Sequence, residues 1–215
     1  KLGQAKTMQQ RLAVLKGFSP AELKPVTPTN GEMRTGLSMG QHCERMAQQW
    51  QITREDQDQL ALASHRNCTR AFDEGFFTDL MTPFNGISRD NNLRPDLSIE
   101  KLRALKPVFD RKVAPGQGTL TAGNSTPLTD GASAVLLASE DWAKARKLPV
   151  LAYLTFSEVA AVDFFDRKEG LLMAPAYAVP RLLARAGLTL QDFDYYEIHE
   201  AFAATLNPSL GVNDY

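Results

Sequence analysis

Hydrophobic positions in the first half of the chain recur mostly at helical spacing. Met39, Cys43, Met46, Ala47 and Trp50 form one apolar stripe, which predicts a short helix. Thr53 then reads as an N-cap, with Asp56 three residues later in an approximate capping box. Beyond it, Leu60, Ala61, Ser64, Cys68, Ala71 and Phe72 share one face of a longer helix that Gly75 closes. Before these helices, Gly17 to Gly36 carries Pro20, Pro25 and Pro28 and reads as a winding connection. Phe76 to Pro95 is loop-like, with a short strand expected at Asp79 to Pro83. Ser98 caps a helix that stops before Pro107.

The pattern changes after about Gly116. Ser133 to Ala138 (SAVLLA) is a short apolar run of buried-strand type, Ser139 caps a helix through about Arg146, and Val150 to Phe156 is a second strand. Val179, Leu182, Leu183 and Ala186 form another helical stripe, closed by Gly187 and followed by a strand at Asp194 to Ile198. Strand–helix–strand alternation with short connections predicts an α/β layer. The expectation is therefore a mainly helical, loop-rich region over about the first 110 residues and the beginning of an α/β domain in the rest.

Composition narrows the class of function without choosing one. The 215 residues can bury a real core, and at 43% hydrophobic they are those of a globular protein. Lys+Arg 24 against Asp+Glu 25 leaves a net charge of −1, which argues against a nucleic-acid surface. No run approaches the ~20 apolar residues of a transmembrane helix. Lys1 to Gln10 lack the apolar core of a signal peptide. Two cysteines, Cys43 and Cys68, make no disulfide framework, so a reducing compartment is expected. The absence of an initial Met and the abrupt end raise the expectation that this is a piece of a longer protein.

Two segments carry candidate chemistry. The run from Gly118 to Gly131 (GTLTAGNSTPLTDG) sets three glycines, several hydroxyls and Asn124 ahead of a predicted strand. Glycines admit a close backbone or ligand, and free N–H and hydroxyl groups bind carbonyl or amide atoms. A tight polar turn explains the same residues. No Gly-Lys-Ser/Thr follows, so it is not a phosphate loop. The second segment, Glu197 to Phe202 (EIHEAF), places His199 and Glu200 where a predicted strand ends, the side of open α/β sheets on which ligands collect. An imidazole there can donate to a polarised carbonyl or hold a water that does so. A purely structural histidine is the alternative.

His42 and His65 lie beside the apolar stripes, where surface or packing roles are expected. His65 and Cys68 are three apart on one helix, yet no partner ligands cluster near them in sequence, which argues against a metal. Cys43 lies near the start of its helix with His42 adjacent, but neighbours in sequence do not face each other on a helix. Cys68 is mid-helix on the apolar stripe. Both cysteines read as small core residues.

With these segments in hand, the sequence resembles the thiolase family. The run at 121 to 132 (TAGNSTPLTDGA) is similar to the family's glycine-rich turn, and His199-Glu200-Ala201-Phe202 to its Asn/His-Glu-Ala-Phe block. Met39-Gly40, Ile52 to Asp58 (ITREDQD), Leu93-Arg94-Pro95 and Leu105 to Phe109 (LKPVF) follow the family's order over nearly all of 1–206. His at 199, the Asn-Ser-Thr-Pro turn and Met173 to Tyr177 (MAPAY) resemble the fatty-acid-oxidation branch, including the thiolase subunit of trifunctional complexes.

The resemblance implies a two-half α/β fold with a mainly helical loop domain inserted after the first half. Residues 1–118 would be mostly that loop domain, which covers coenzyme A, and 119–215 the opening of the C-terminal half. Arg94 resembles the arginine along the nucleotide part of CoA, where a guanidinium can stack on a base or meet phosphate. Met39 matches a methionine near the pantetheine end. Ala122, Gly123, Thr126 and Leu128 match the turn lining the pantetheine tunnel, and Phe202 would wall the reacting centre. His199 stands where an Asn positions an oxyanion-hole water.

The implied reaction is thiolysis of a 3-ketoacyl-CoA by CoA to acetyl-CoA and a shortened acyl-CoA, or the reverse condensation. CoA is a substrate, and no permanently bound cofactor is implied. In the family the nucleophilic Cys would lie upstream of Lys1 and the Gly-His-Pro histidine and Cys-Gly-Gly cysteine downstream of Phe202. The chain alone is therefore expected to be inactive, and Asn207 to Tyr215 do not continue the pattern. A non-catalytic CoA-binding module and a helical adaptor are the other readings. A homo-oligomer, a hydratase/dehydrogenase partner subunit, and a bacterial cytoplasm or mitochondrial matrix are further implications.

Overall fold

A computed structural model describes residues 4, 6–16, 19, 25, 28–165 and 169–206. The helices are α1 (Met8–Lys16), α2 (Met39–Gln49), α3 (Arg54–Asp73), α4 (Ile99–Arg103), α5 (Glu140–Ala145) and α6 (Pro175–Ala186). Single 3-10 turns follow at Leu171–Met173, Leu190–Asp192 and Ala203–Thr205.

The caps explain where these helices start. Ser38 accepts from the Gln41 amide while the Gln41 side chain returns to the Ser38 amide, a complete capping box on α2. Thr53, Ser98 and Ser139 each accept from the amide three residues on, as the sequence predicts for α3, α4 and α5. Pro175 begins α6, and Gly187 in the left-handed region (φ +68°) ends it. Gly75 likewise turns left-handed (φ +79°) after α3. α1 is an element the sequence pattern does not predict. Gly17 to Gly36 lies partly outside the described residues, as does Asn207 to Tyr215 entirely.

The core sits between α2, the 119–124 turn and the 201–206 segment. Cys43, Met46 and Ala47 of α2 meet Ile52, Leu120, Phe202 and Ala204 there, with Phe109, Leu172 and Met173 packed around them. Leu102 of α4 is fully buried beside the same turn.

The strands expected at 79–83, 133–138, 150–156 and 194–198 do not form ladders among the described residues. Pairing there is limited to isolated bridges, Gly31–Ser38, Phe84–Ile87, Pro107–Thr121 and Ser125–Phe202. Val135, Leu136, Leu137, Leu151 and Leu154 stand exposed. The reason is physical: a strand that is apolar on both faces is held only by neighbouring strands and covering helices, and the described residues place none against these runs. No described helix is long and apolar enough to cross a membrane.

Candidate functional site

The two segments singled out by sequence meet. The Thr126 amide donates to the Ala201 carbonyl at 2.9 Å, and the Ala203 amide donates to the Asn124 carbonyl at 3.0 Å. These bonds form an antiparallel bridge that holds the glycine-rich turn against the His-Glu-Ala-Phe block.

Beside the bridge is a cleft of about 240 Å³ whose walls include Ser64 and His65 of α3, Leu93, Gly123, Thr126 and Glu200. Four parts of the chain that are far apart in sequence therefore contribute to one concavity. Gly123 packs against α4 and the residues just after it: a Cβ there would lie 2.5 Å from Leu102 Cδ2 and 2.6 Å from Leu105 Cδ1. Its amide donates to Thr121 Oγ1 at 3.2 Å.

The turn is fixed from beneath by two buried carboxylates. Glu44 on α2 accepts from the Thr119 amide (3.0 Å), the Thr119 hydroxyl (3.0 Å), the Leu120 amide (2.9 Å) and Gln48 Nε2 (2.9 Å). Asp58 on α3 accepts from Asn124 Nδ2 at 3.0 Å and pairs with Arg54 Nε at 2.7 Å. Asn124 completes the turn by accepting from the Thr121 amide at 2.7 Å. Bonds to an ionised carboxylate each contribute about 1.5–3 kcal/mol, so this turn is stiffer than its glycines alone would make it.

The remaining candidates are placed as follows. Arg94 adjoins Leu93 on the cleft wall. Its amide donates to His65 Nδ1 at 3.2 Å, and its guanidinium Nη1 donates to the Asn91 and Leu93 carbonyls. Phe202 is buried, with its ring edge-on to Phe109 at 5.8 Å between centroids. Ala122 and His199 are exposed, one beside Gly123 and the other beside Glu200. Met39 is half-exposed at the start of α2, and Leu128 is fully exposed. Neither lines the cleft.

Burial raises both cysteine thiols above their ordinary value. Burial, reinforced by the neighbouring Glu44, pushes the Cys43 thiol up to about 12. Burial and then Asp90 raise that of Cys68 on the cleft wall. Burial and then Arg94 lower His65 below its ordinary value, and its Nδ1 accepts the Arg94 amide.

Sequence reasoning passes over Glu44 and names Asp58 and His65 without giving either a place at the site. A signal for Glu44 was present: Gly40, Cys43, Glu44 and Ala47 are spaced as one face of α2, which puts a carboxylate on a buried stripe. For His65 only the fold, by bringing the 90–94 loop onto α3, reveals the contact.

The chain matches two family models, the thiolase N-terminal domain over residues 14–141 and the thiolase C-terminal domain over 148–210. It is 44% identical over 209 residues to a 3-ketoacyl-CoA thiolase of Pectobacterium atrosepticum, covering 94% of this chain and 46% of that protein. A 3-ketoacyl-CoA thiolase of Pseudoalteromonas translucida is 45% identical over the same shares. Among solved structures, the human mitochondrial 3-ketoacyl-CoA thiolase in complex with CoA superposes with a TM-score of 0.73 at 34% identity, over 81% of this chain and 43% of that one. The Bacillus anthracis acetyl-CoA acetyltransferase gives 0.71 at 34% identity, covering 81% of this chain and 44% of that one. The chain thus spans about half the length of the curated relatives it matches. Its fold is the thiolase-like α/β fold, and the chain belongs to the thiolase family.

Proposed function

We propose that the intact protein is an acyl-CoA C-acyltransferase of the 3-ketoacyl-CoA thiolase type and that this chain supplies the CoA-facing part of its active site. The observation that carries the reading is the bridge between 124–126 and 201–203 at the edge of a cleft that also meets the Arg94 loop. In this reading region 1–118 covers the CoA, and 119–215 begins the half that holds the reacting end.

Each residue then has a physical task. Arg94 stacks on or pairs with the nucleotide end of CoA, remote from the bond that changes. Gly123 and Thr126 on the cleft wall, with Ala122 beside them, line the pantetheine arm; Leu128 and Met39, which lie off the cleft, are assigned near the pantetheine end by the family resemblance alone. Phe202 limits the space at the thioester. His199 holds a water or donates directly to the oxygen that gains charge when the keto carbon is attacked, the interaction whose loss costs about 3–4 kcal/mol in comparable sites. The attacking thiolate is supplied by a cysteine other than Cys43 or Cys68, whose thiols are raised by burial. CoA acts as a substrate, with no permanently bound cofactor assigned. A homo-oligomer, pairing with a hydratase/dehydrogenase subunit, and residence in a bacterial cytoplasm or mitochondrial matrix complete the proposal.

Calorimetric titration of the intact protein with CoA tests the reading. Saturable heat that weakens on Arg94→Ala is expected. No heat at millimolar CoA would leave a helical adaptor as the better account, and binding without thiolysis of a 3-ketoacyl-CoA would leave a non-catalytic CoA-binding module.

A further inference from the structure

We infer that Glu44 is a positioning residue for the active site. From beneath the turn it sets the conformation of 119–126 and, through that turn, the register of the segment that carries His199. The inference deepens the proposed acyltransferase reading and rests on it for its kinetic consequence.

The chain of contacts is continuous. Glu44 is fully buried, and its two carboxylate oxygens take the amides of consecutive residues, Thr119 and Leu120, together with the Thr119 hydroxyl. Thr119 is itself gripped from α3 by Gln57 Nε2 at 3.0 Å, and its carbonyl accepts from Asn124 Nδ2 at 3.1 Å. Asn124 passes the constraint on, since its main-chain carbonyl receives the Ala203 amide. Glu44 thus lies two contacts from the bridge while lining no part of the cleft.

Chemistry explains why a carboxylate serves here. Two adjacent N–H groups and a hydroxyl converge on one side chain, and only an acceptor on both oxygens satisfies all of them. Glutamine would keep the shape but turn an NH₂ toward one of the donors. The N–H facing it would be left unpaired in the interior, and the turn would shift to relieve it. Asp58 alone cannot hold the turn in place, because it grips the Asn124 side chain and leaves the 119–120 amides without an acceptor.

Hydrogen exchange on the intact protein, compared between wild type and Glu44→Gln, tests this without any ligand. The amides of Thr126 and Ala203 are expected to exchange at least tenfold faster in the variant, together with Thr119 and Leu120. Those of Leu102 and Ala104 in and beside α4 should be unchanged. Acceleration confined to 119–120, or spread evenly over all amides, would overturn the inference. If Glu44→Gln does not fold, Glu44→Asp, one methylene short, carries the same comparison with the same two refuting outcomes.

The kinetic arm is a double-mutant cycle. Glu44→Gln and Asn124→Ala should each raise KM for CoA about tenfold, and together scarcely more than either alone, because both act through one turn. Additive effects would sink it. Absence of CoA binding in the wild type would defeat the acyltransferase reading while leaving the exchange result to decide the role of Glu44.

Discussion

Gly40 on the first turn of α2 offers a sharp test of how tightly the core is packed. A Cβ built there would lie 2.4 Å from Phe109 Cε1, 2.5 Å from Cδ1 and 2.6 Å from Cζ. Carbon atoms rest at about 3.5–4.0 Å, so Gly40→Ala forces the Phe109 ring back by roughly 1 Å. The ring has little freedom to go, for it stands edge-on to Phe202 and belongs to the packing around the core. Overpacking of this kind costs about 1–3 kcal/mol, while replacing glycine in a helix returns at most about 1 kcal/mol. The expected net loss is about 1–2 kcal/mol. For a chain of this size that corresponds to a Tm lower by roughly 2 to 8 °C, read by circular dichroism at 222 nm. A second substitution, Phe109→Leu, makes room for the methyl group, and the double variant should lose less than the two single losses combined. A Gly40→Ala protein that melts at or above the wild-type temperature would refute the packing argument, since helix propensity alone predicts that gain.

His199→Asn should keep thiolysis within about tenfold of wild type, because an amide can also hold a water, whereas His199→Ala should lose about 10²–10³ in kcat; equal losses in steady-state assays would remove His199 from the oxyanion site. Arg94→Ala should raise KM for CoA more than it lowers kcat, since the contact is remote from the reacting atoms, and an unchanged KM would place Arg94 outside the CoA site. Burial lowers both His42 and His65 below 6.5, with Arg45 and Arg94 adding to the effect. The unfolded chain therefore takes up these protons first as pH falls, so stability is full above about pH 6.5 and is lost as pH drops through the folded values. Tm measured between pH 7.5 and 5 should fall accordingly, His65→Gln should flatten part of the slope, and a Tm independent of pH would contradict both assignments.

Helix placement was legible because it depends on local terms. The caps at Thr53, Ser98 and Ser139 and the stops at Gly75 and Gly187 stand in the structure where the sequence puts them. Local signals left α1 weak, because Ala13 and Val14 spread its apolar residues around the helix beyond the Met8, Leu12 and Leu15 positions. Strand prediction failed for the opposite reason. SAVLLA at 133–138 has the composition of a buried strand, but a strand exists only through its neighbours, and composition cannot say whether a neighbour is present. The site was half legible. The 121–131 and 197–202 segments announced themselves by glycine, amide and imidazole content. The contact between them, which gives them meaning, is made by main-chain atoms that no side-chain pattern encodes.

That division has a consequence for where variation can be tolerated. The bridge at 125–202 depends on backbone groups, so an exposed side chain on it, such as Thr126, can change without breaking it. Asn124, Glu44 and Asp58 cannot, because each supplies acceptors or donors to buried partners. An unpaired buried donor costs about 1–3 kcal/mol, against a whole stability of about 5–15 kcal/mol for a domain. Two such losses would consume a large share of it. Glu44 and Asp58 beneath the turn therefore constrain the site more strongly than most of the residues lining the cleft, although neither of them lines it.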